Sequence, residues 1–407
     1  MSVSPFPQTD WLQALCKSQP IAAEMLARSP EQQQRLGYVH TLREICQQPA
    51  TWIRTGELMR QSAPVLSPII AGICSLTLSG SGSSEYAGDC VRMVLQKELG
   101  INTQAIPGGM LLTHGGHALP IGRPGLMVSL ARSGDSPESV GGLALMLKIE
   151  PKIRHLVLTC NPKGHLATTF RNDPRVTVIT LDERTNDQSL VMTSSFTNLV
   201  LAARFLGLMN EAGRYSSICA ALGHSATALM QEHFGTLAQA GRAGFRRALF
   251  LGSGPRFAAA REAALKLLEM TAGRVTASCE TWLGLRHGPM SAVHEDTLIV
   301  CFLASEGRLR AYESDVLREL AQKRLGLFRL IVGQDIPQEL VGARDMVIPY
   351  RNSDDLGDDN LPVLDAVVGQ LLAFFRCQVE GLRPDSPSES GVIHRVVESF
   401  KLHLPSP

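Results

Sequence analysis

The spacing of apolar residues changes about 60 residues into the chain. From Trp11 to Gln61, apolar residues recur three or four positions apart, between breakers such as Pro20 and Pro49, which predicts a helical N-terminal segment. Beyond it, short runs that are apolar on both faces alternate with amphipathic stretches, as is typical of parallel strands joined by helices. The predicted strands cover residues 74–79, 126–130, 155–160, 176–181, 249–251, 298–303, 328–332 and 346–348.

The strand pattern occurs twice. Helices predicted over residues 189–209 and 218–240 follow the first four strands, and the pattern begins again at Ala248, with further helices predicted at 256–272 and 362–380. A Gly-Ser-Gly turn follows an apolar strand at Gly80 and again at Gly252, which indicates an internal duplication of one α/β unit. The fold class is therefore α/β, with two doubly wound parallel sheets in tandem. The predicted division is an N-terminal helical segment at 1–62, units at 63–215 and 216–380, and an extended tail with a terminal apolar strand at 381–407.

Composition and charge exclude several functional classes. The 407 residues include 39 Lys and Arg against 38 Asp and Glu, so the net charge of +1 provides no field that attracts nucleic acid or an anionic membrane. The 9 cysteines show no C-x-x-C spacing, which favours a reducing compartment. Residues 1–17 lack the features of a secretory signal, and no apolar run approaches the ~20 residues of a membrane span. We expect a cytoplasmic protein without membrane or nucleic-acid partners.

No cofactor or metal is predicted. The chain contains no G-x-x-x-x-G-K-[ST] sequence, and Gly80, Gly82 and Gly88 do not have G-x-G-x-x-G spacing, which disfavours nucleotide binding. His114 and His117 flank two glycines, but no third ligand accompanies them at a recognised spacing. We therefore interpret this segment as a loop.

Two hydroxyl-rich loops follow predicted strands of the first unit. Gly80-Ser-Gly-Ser-Ser84 precedes a helix, and its glycines, hydroxyls and helix N-terminus suit a phosphate. The second loop runs from Ala131 to Ser139, and loops at one edge of an open sheet converge on one crevice. The alternatives are a turn that only caps a helix and, for Arg132, a surface arginine paired with Asp135. The expected phosphate ligands are Ser83, Ser84, Arg132, Ser133 and Ser136.

The second unit contains a charged helix and a histidine turn. Glu262, Lys266 and Glu269 are spaced so that they share one helix face, for which a solvated ion-pair face is the alternative interpretation. His287-Gly-Pro289 follows, and alone it could be an ordinary turn. At the second Gly-Ser-Gly turn, Pro255 and Arg256 replace the serines, so we expect no ligand there.

Taken together, these motifs resemble the sugar isomerase (SIS) family, in which two flavodoxin-like units bind phosphosugars through serine-rich loops. More narrowly, the chain is similar to the tagatose-6-phosphate ketose/aldose isomerase group, which is associated with galactosamine-6-phosphate deamination. The similarity covers most of the chain and is most distinctive at Thr185-Asn-Asp-Gln-Ser-Leu-Val-Met-Thr-Ser-Ser-Phe-Thr197. The other matching segments are 41–49 with Trp52, 79–88, 131–139, Thr159-Cys-Asn-Pro162 with Gly164, and 381–391 with Arg395.

The resemblance implies roles for the second-unit residues. The helix and the histidine turn are similar to the isomerase half of glucosamine-6-phosphate synthase, which makes Glu269 the base that moves a proton between sugar carbons. Lys266 would assist near the ring oxygen or the substrate hydroxyls. His287 would open the ring from a neighbouring subunit, which implies a homodimer or higher homo-oligomer. Glu398 stands where that synthase has its active-site lysine, so a step through a lysine of the tail is not expected.

The expected function is a deaminase/isomerase that converts a hexosamine 6-phosphate, with galactosamine 6-phosphate the leading substrate, to tagatose 6-phosphate and ammonia. A base, a ring-opening group and a phosphate anchor meet the needs of a proton shift between C2 and C1. One alternative is a plain aldose/ketose phosphate isomerase that releases no ammonia. The other is a non-catalytic phosphosugar-binding regulator, against which the few basic residues near Arg35 and Arg43 argue.

Overall fold

The computed structural model describes residues 10–120, 122–353, 356–398 and 400–403. Within these ranges the backbone forms fifteen α-helices and ten β-strands. The helices are α1 Asp10–Ser18, α2 Pro20–Ala27, α3 Pro30–Leu36, α4 Thr41–Cys46, α5 Gln48–Gln61, α6 Ala63–Ile70, α7 Ser83–Leu99, α8 Gly108–Ala118, α9 Pro137–Ile149, α10 His165–Thr169, α11 Ser194–Leu208, α12 Ala212–Arg242, α13 Pro255–Met270, α14 Gly307–Gln322 and α15 Pro362–Val379. The strands are β1 Ser75–Gly80, β2 Asn102–Pro107, β3 Gly125–Ala131, β4 Ile153–Thr159, β5 Val176–Thr180, β6 Arg247–Gly252, β7 Thr276–Thr281, β8 Thr297–Leu303, β9 Phe328–Gly333 and β10 Met346–Pro349.

The strands form two parallel sheets of the same topology. The first sheet has the order β2-β1-β3-β4-β5, and the second, taken from its β7 edge, has the order β7-β6-β8-β9-β10. Every pair of neighbouring strands in these sheets is parallel. The predicted fold class is thereby confirmed: two doubly wound α/β sheets in tandem, preceded by N-terminal helices.

Two strands are absent from the sequence prediction. β2 and β7 take the same place in the two sheets, at the edge beside β1 and β6. Their sequences, Asn-Thr-Gln-Ala-Ile-Pro and Thr-Ala-Ser-Cys-Glu-Thr, are polar and largely accessible, without the continuous apolar run of a central strand. A strand with a neighbour on one side only is covered less, so its sequence carries a weaker signal.

The helix predicted over residues 189–209 begins only at Ser194. The Asp187 carboxylate accepts hydrogen bonds from the amides of Ser194 at 3.2 Å and Ser195 at 2.8 Å, and from both side-chain hydroxyls, so it caps the start of α11. The prediction of helix before this cap is wrong for that reason. The terminal strand predicted for the tail is also wrong for the described residues up to 403, which form turns and irregular backbone. The last four residues lie outside the described ranges.

The chain divides into two compact units, each built from segments that are separate in the sequence. The first unit holds β1–β5 and comprises Ala50–Asp187, Ser194–Ala220 and the chain from Ile393. The second unit holds β6–β10 and comprises the chain up to Pro49, Gln188–Thr193 and Ala221–Val392. The domain boundaries expected at residues 62, 215 and 380 stay a prediction.

Within the second unit, α13 packs closely on α15 because a glycine lies at their contact. An ideal Cβ on Gly369 of α15 would lie 2.4 Å from the Cβ and 2.9 Å from the Cα of Ala263 on α13. Only a residue without a side chain leaves room for this approach. In the described chain α15 is also the one helix long and apolar enough to span a membrane, but 89% of its apolar window is buried inside the protein, as in a core helix.

We predict that Gly369→Ala destabilises the second unit. The new methyl group has to push α13 away from α15, which costs about 1–3 kcal/mol for an overpacked core site. Urea unfolding followed by circular dichroism measures the change. Gly307→Ala is the matched control, because a Cβ at this first residue of α14 meets no atom within 4 Å. A midpoint for Gly369→Ala at or above that of the control would contradict this packing.

Candidate functional site

The first candidate loop follows β1 and leads into α7 at Ser83. Gly82, just before the helix, has φ +56° and ψ −127°, a conformation that favours glycine. A Cβ on Gly80 would lie 2.5 Å from the backbone carbonyl carbon of Ser84, so a side chain there would push the turn open. The loop folds tightly onto the helix start and places Ser83 and Ser84, both buried, in its first turn.

The second candidate loop follows β3 and is held in place by residues after β4. The side-chain amide of Asn161 donates to the backbone oxygen of Ser133 at 2.9 Å. A Cβ on Gly164 would lie 2.1 Å from the same oxygen, so the close approach requires glycine. These contacts give a physical role to the Thr159-Cys-Asn-Pro162 motif and Gly164, which the sequence marks only by resemblance.

The hydroxyl groups of the second loop have partners within it. The Oγ of Ser133 accepts a hydrogen bond from the amide of Asp135 at 3.3 Å. The Oγ of Ser136 caps α9: it accepts from the amide of Ser139 at 3.4 Å and donates to the carboxylate of Glu138 at 3.1 Å. Ser136 is therefore the N-cap of α9 in this structure. A phosphate would take over the hydrogen bond that Ser136 donates to Glu138.

The two loops lie side by side at the carboxyl edge of the first sheet. β1 and β3 are hydrogen-bonded neighbours, with Ser79 opposite Ser129. A Cβ on Gly108 would lie 3.1 Å from Ser81 Oγ in the first loop and 3.6 Å from the backbone carbonyl carbon of Glu138 in the second. The carboxyl ends of adjacent parallel strands at a change of strand order are a common place for ligands to bind. The geometry of this edge suits a single small anion.

Arg132 connects the second loop to the tail. It is 8% exposed, so the interpretation as a surface arginine is wrong. Its guanidinium donates to the backbone oxygen of Arg395 at 2.5 Å. Arg395 in turn donates to the backbone oxygen of Asp187 and to the side-chain oxygen of Asn186, both at 2.7 Å. Sequence reasoning did not predict these contacts of Arg395, although it singled out both the tail motif and the segment around Asp187.

In the second unit, the charged stripe of α13 is mostly buried. The side chains of Glu262 and Lys266 are 0% and 1% exposed, whereas that of Glu269 is 24% exposed. The Lys266 ammonium group donates to the Glu269 carboxylate and lies 3.4 Å from an oxygen of Glu262. The alternative of a solvated face is therefore wrong for Glu262 and Lys266. Because burial of charge is costly without a partner, these contacts keep the three groups together.

His287 ends the short 3-10 turn Gly284–His287, which is anchored from inside the second unit. Just before it, Trp282 is 1% exposed and its indole nitrogen donates to the backbone oxygen of Phe302 at 3.2 Å. Gly288, the next residue, has φ +124°, which glycine adopts without strain. The His287 side chain is exposed, so its imidazole is accessible on a rigid support.

Other candidate groups have structural explanations. His114 and His117 lie in α8, which is kinked at His114, so the predicted loop is wrong. In the described parts of the chain, no group of three or more His, Cys, Asp or Glu residues is arranged to hold a metal ion. Cys160 is fully buried, and burial raises the pKa of its thiol to about 12, so it stays protonated rather than nucleophilic.

The predicted site residues fall into two sets, one in each unit. The first unit contains Ser83, Ser84, Arg132, Ser133 and Ser136. The second unit contains Lys266, Glu269 and His287. The first set offers hydroxyl and guanidinium donors at a helix start, which suit an anion. The second offers an accessible carboxylate and an accessible imidazole, which suit proton transfer.

Comparison with known proteins gives close relatives. No protein-family model matches the chain. A Streptomyces coelicolor protein named AgaS is 35% identical over 374 residues, which span 90% of this chain and 95% of its own. The D-galactosamine-6-phosphate deaminase AgaS of a Shewanella species, strain ANA-3, is 32% identical over 93% of this chain and 95% of its own. The crystal structure of tagatose-6-phosphate ketose/aldose isomerase from Escherichia coli has a TM-score of 0.80 and 30% identity, covering 87% of this chain and 95% of that one.

We predict that Lys266→Met destabilises the second unit far more than Glu269→Gln. The first change removes the ammonium group from beside buried Glu262 and should cost about 3–5 kcal/mol, as when one partner of a buried pair is lost. The second keeps the shape of a partly exposed side chain and should cost below about 1 kcal/mol. Chemical unfolding of both variants measures the difference. Equal losses would mean that the stripe does not depend on Lys266.

Proposed function

Because the chain belongs to the AgaS family of D-galactosamine-6-phosphate deaminases, we propose that it converts galactosamine 6-phosphate and water to tagatose 6-phosphate and ammonia. Membership of this family confirms the resemblance seen in the sequence motifs. The observation that carries the proposal is the α13 stripe, in which buried Lys266 holds Glu269 while leaving its carboxylate accessible. Such a carboxylate is suited to accept and return a proton.

The phosphate of the substrate is assigned to the edge of the first sheet. Hydroxyls of Ser83, Ser84, Ser133 and Ser136 donate to its oxygens, and the start of α7 adds backbone amides and a partial positive charge. Arg132 contributes charge from a buried position fixed by the tail. A phosphate carries between one and two negative charges near neutral pH, so this anchor provides much of the binding energy.

The proton shift is assigned to the second set of residues. His287 helps to open the ring by moving a proton between the C1 hydroxyl and the ring oxygen. Glu269 removes the C2 proton of the open-chain amino aldose and returns it to C1. The aldehyde oxygen gains a proton and the amine loses one, which leaves a hydroxyl at C1 and a carbon–nitrogen double bond at C2. Water adds to C2 and ammonia departs, so the overall reaction is a hydrolysis. No redox step and no cofactor are needed for this balance.

Lys266 is assigned a positioning role. Its side chain is 1% exposed and its ammonium group donates to Glu269, so it acts on the substrate through the carboxylate it orients. Contact of Lys266 with the ring oxygen or a substrate hydroxyl stays a prediction. The contact with the buried ammonium group also fixes the direction of the carboxylate, which proton abstraction requires.

A plain ketose/aldose isomerase is the second candidate function. It is favoured by the Escherichia coli tagatose-6-phosphate ketose/aldose isomerase structure, and it needs the same proton shift with a hydroxyl instead of an amine at C2. The non-catalytic regulator is disfavoured because the relatives described above carry the names of enzymes. Further parts of the proposal are a cytoplasmic location, no nucleic-acid or membrane partner, and a homodimer or higher homo-oligomer in which exposed His287 serves a neighbouring subunit.

Purified protein with galactosamine 6-phosphate should release ammonia and ketose phosphate in equal amounts. Glu269→Gln should lower kcat by about 10²–10⁴-fold with a small change in KM, because a general base is lost while the phosphate anchor remains. Coupled assays of both products measure this. Glu24→Gln, at an exposed residue of α2, is the control and should keep full activity. Normal turnover by Glu269→Gln would refute the base. No reaction with galactosamine 6-phosphate, together with conversion of galactose 6-phosphate to tagatose 6-phosphate, would favour the plain isomerase.

Ser84→Ala and Ser133→Ala should each raise KM for galactosamine 6-phosphate by about 10–100-fold, the effect of losing one hydrogen bond of 1.5–3 kcal/mol to a charged group. The same variants should change kcat/KM for unphosphorylated galactosamine little, because that substrate has no phosphate to lose contact with. Ser305→Ala, in the loop after β8 that corresponds to the loop after β3, is the matched control and should not change KM. Equal effects on both substrates would place the phosphate elsewhere.

A further inference from the structure

The loop after β6 repeats the backbone of the loop after β1. Gly254 has φ +54° and ψ −129°, against +56° and −127° for Gly82. The backbone amide of Arg256 donates to the backbone oxygen of Ser253 at 3.1 Å. In the first unit, the amide of Ser84 donates to the oxygen of Ser81 at 3.2 Å in the same way. The duplicated turn is therefore intact in the second unit, with an arginine in place of the serine at its end.

The Arg256 side chain lies across the carboxyl ends of two strands of the second sheet. Its guanidinium is 2% exposed and donates to the carbonyl oxygen of Leu303 at the end of β8, with a longer contact of 3.5 Å to that of Val332 in β9. Two further bonds, at 2.7 and 2.8 Å, join it to the carboxylate of Asp365. The bidentate pair fixes a positive charge at the edge where the first sheet has serines.

A second carboxylate, that of Asp358, joins the two loops of this edge. It accepts from the amide of Ser305 at 2.9 Å, from the Ser305 hydroxyl at 3.0 Å and from the amide of Glu306 at 3.0 Å. One of its oxygens lies 3.4 Å from Arg256. Ser305 and Glu306 follow β8, which takes the place of β3 in the second sheet. Asp358 therefore has the donors that a phosphate would have at this position.

We propose that Asp358 is an internal substitute for a phosphate, which fills the anion position of a second, duplicated site so that each chain binds one phosphosugar. Its charge repels a further anion, and its oxygens occupy the amide and hydroxyl donors of the loop after β8. If the carboxylate is removed, Ser305, Glu306 and Arg256 are left as a site for inorganic phosphate or a phosphate monoester. The comparison with the first unit rests on the proposed function, whereas the contacts of Asp358 do not.

Other charged and titratable groups lie close to Asp358 at this edge. Glu313 of α14 is 1% exposed and accepts from the amide of Ala304, between β8 and Ser305, at 2.7 Å. Burial raises the pKa of Glu313 to about 7, so near neutral pH a large fraction of it is uncharged. Asp358 and Asp365 face Arg256, and Arg310 donates to the backbone oxygens of Ala304 and Asp335 close to Asp358. Two positive and two negative charges leave no excess positive charge for a ligand.

The test is the number of inorganic phosphate ions bound per chain, measured by equilibrium dialysis at neutral pH. We expect one for the wild-type protein and two for Asp358→Ser. Asp359→Ser, at the next residue of the same 3-10 turn, is the matched control and should bind one. Asp358→Asn should also bind one, because the amide still fills the space. A wild-type value of two, or the same value for Asp358→Ser and the wild type, would overturn the proposal.

Failure of this inference and failure of the proposed function give different results. If the first-unit site does not bind phosphate, the wild type binds none and Asp358→Ser binds one, which supports the internal substitute alone. Adding Ser305→Ala to Asp358→Ser should abolish the new binding; if it persists, the ion lies elsewhere and the proposal is wrong. Should Asp358→Ser be unfolded in buffer, added phosphate should restore a cooperative thermal transition. A chain that stays unfolded at every phosphate concentration contradicts the proposal.

Discussion

The strand order of each sheet determines where the loops with polar side chains lie. In the first sheet β1 lies between β2 and β3, so the chain reverses its direction across the sheet after β2. Loops at such a reversal leave a crevice at the carboxyl ends of the strands. The loop with Ser84 follows β1, and the loop with Ser133 follows β3. The second sheet has the same reversal, with β6 in the place of β1 and β8 in the place of β3. One topology therefore builds two similar edges, one in each unit.

What occupies each edge is decided by a few side chains. The first edge has hydroxyl groups and a helix N-terminus, and the Arg132 guanidinium donates a hydrogen bond to the backbone of Arg395 in the tail. The second has Asp358 and Asp365 with Arg256 and Arg310 nearby, so its positive and negative charges offset one another within the protein. Elsewhere in the second unit, α13 carries the buried charged side chains of Glu262 and Lys266 and the partly exposed carboxylate of Glu269. The duplicated units thus keep one backbone design while their polar groups serve different purposes.

Much of the fold could be predicted from the sequence, because the central strands are continuous apolar runs and the Gly-Ser-Gly turn marks the duplication. The edge strands β2 and β7 could not, since their polar sequences depend on a neighbour for structure. Spacing places Glu262, Lys266 and Glu269 on one face, but the burial of Glu262 and Lys266 depends on tertiary packing, which the spacing does not contain. The contacts of Arg395 and Asp358 are likewise made by residues distant in sequence, and no local pattern reveals them.

We propose that the first edge binds the phosphate and that the second is occupied by the chain itself. A crystal structure of the protein with galactosamine 6-phosphate tests this most directly. We expect the 6-phosphate within about 3 Å of the hydroxyls of Ser84 and Ser133, the usual hydrogen-bond distance, with Asp358 still hydrogen-bonded to Ser305. A 6-phosphate bound beside Ser305 and Arg256, or at neither edge, would contradict it.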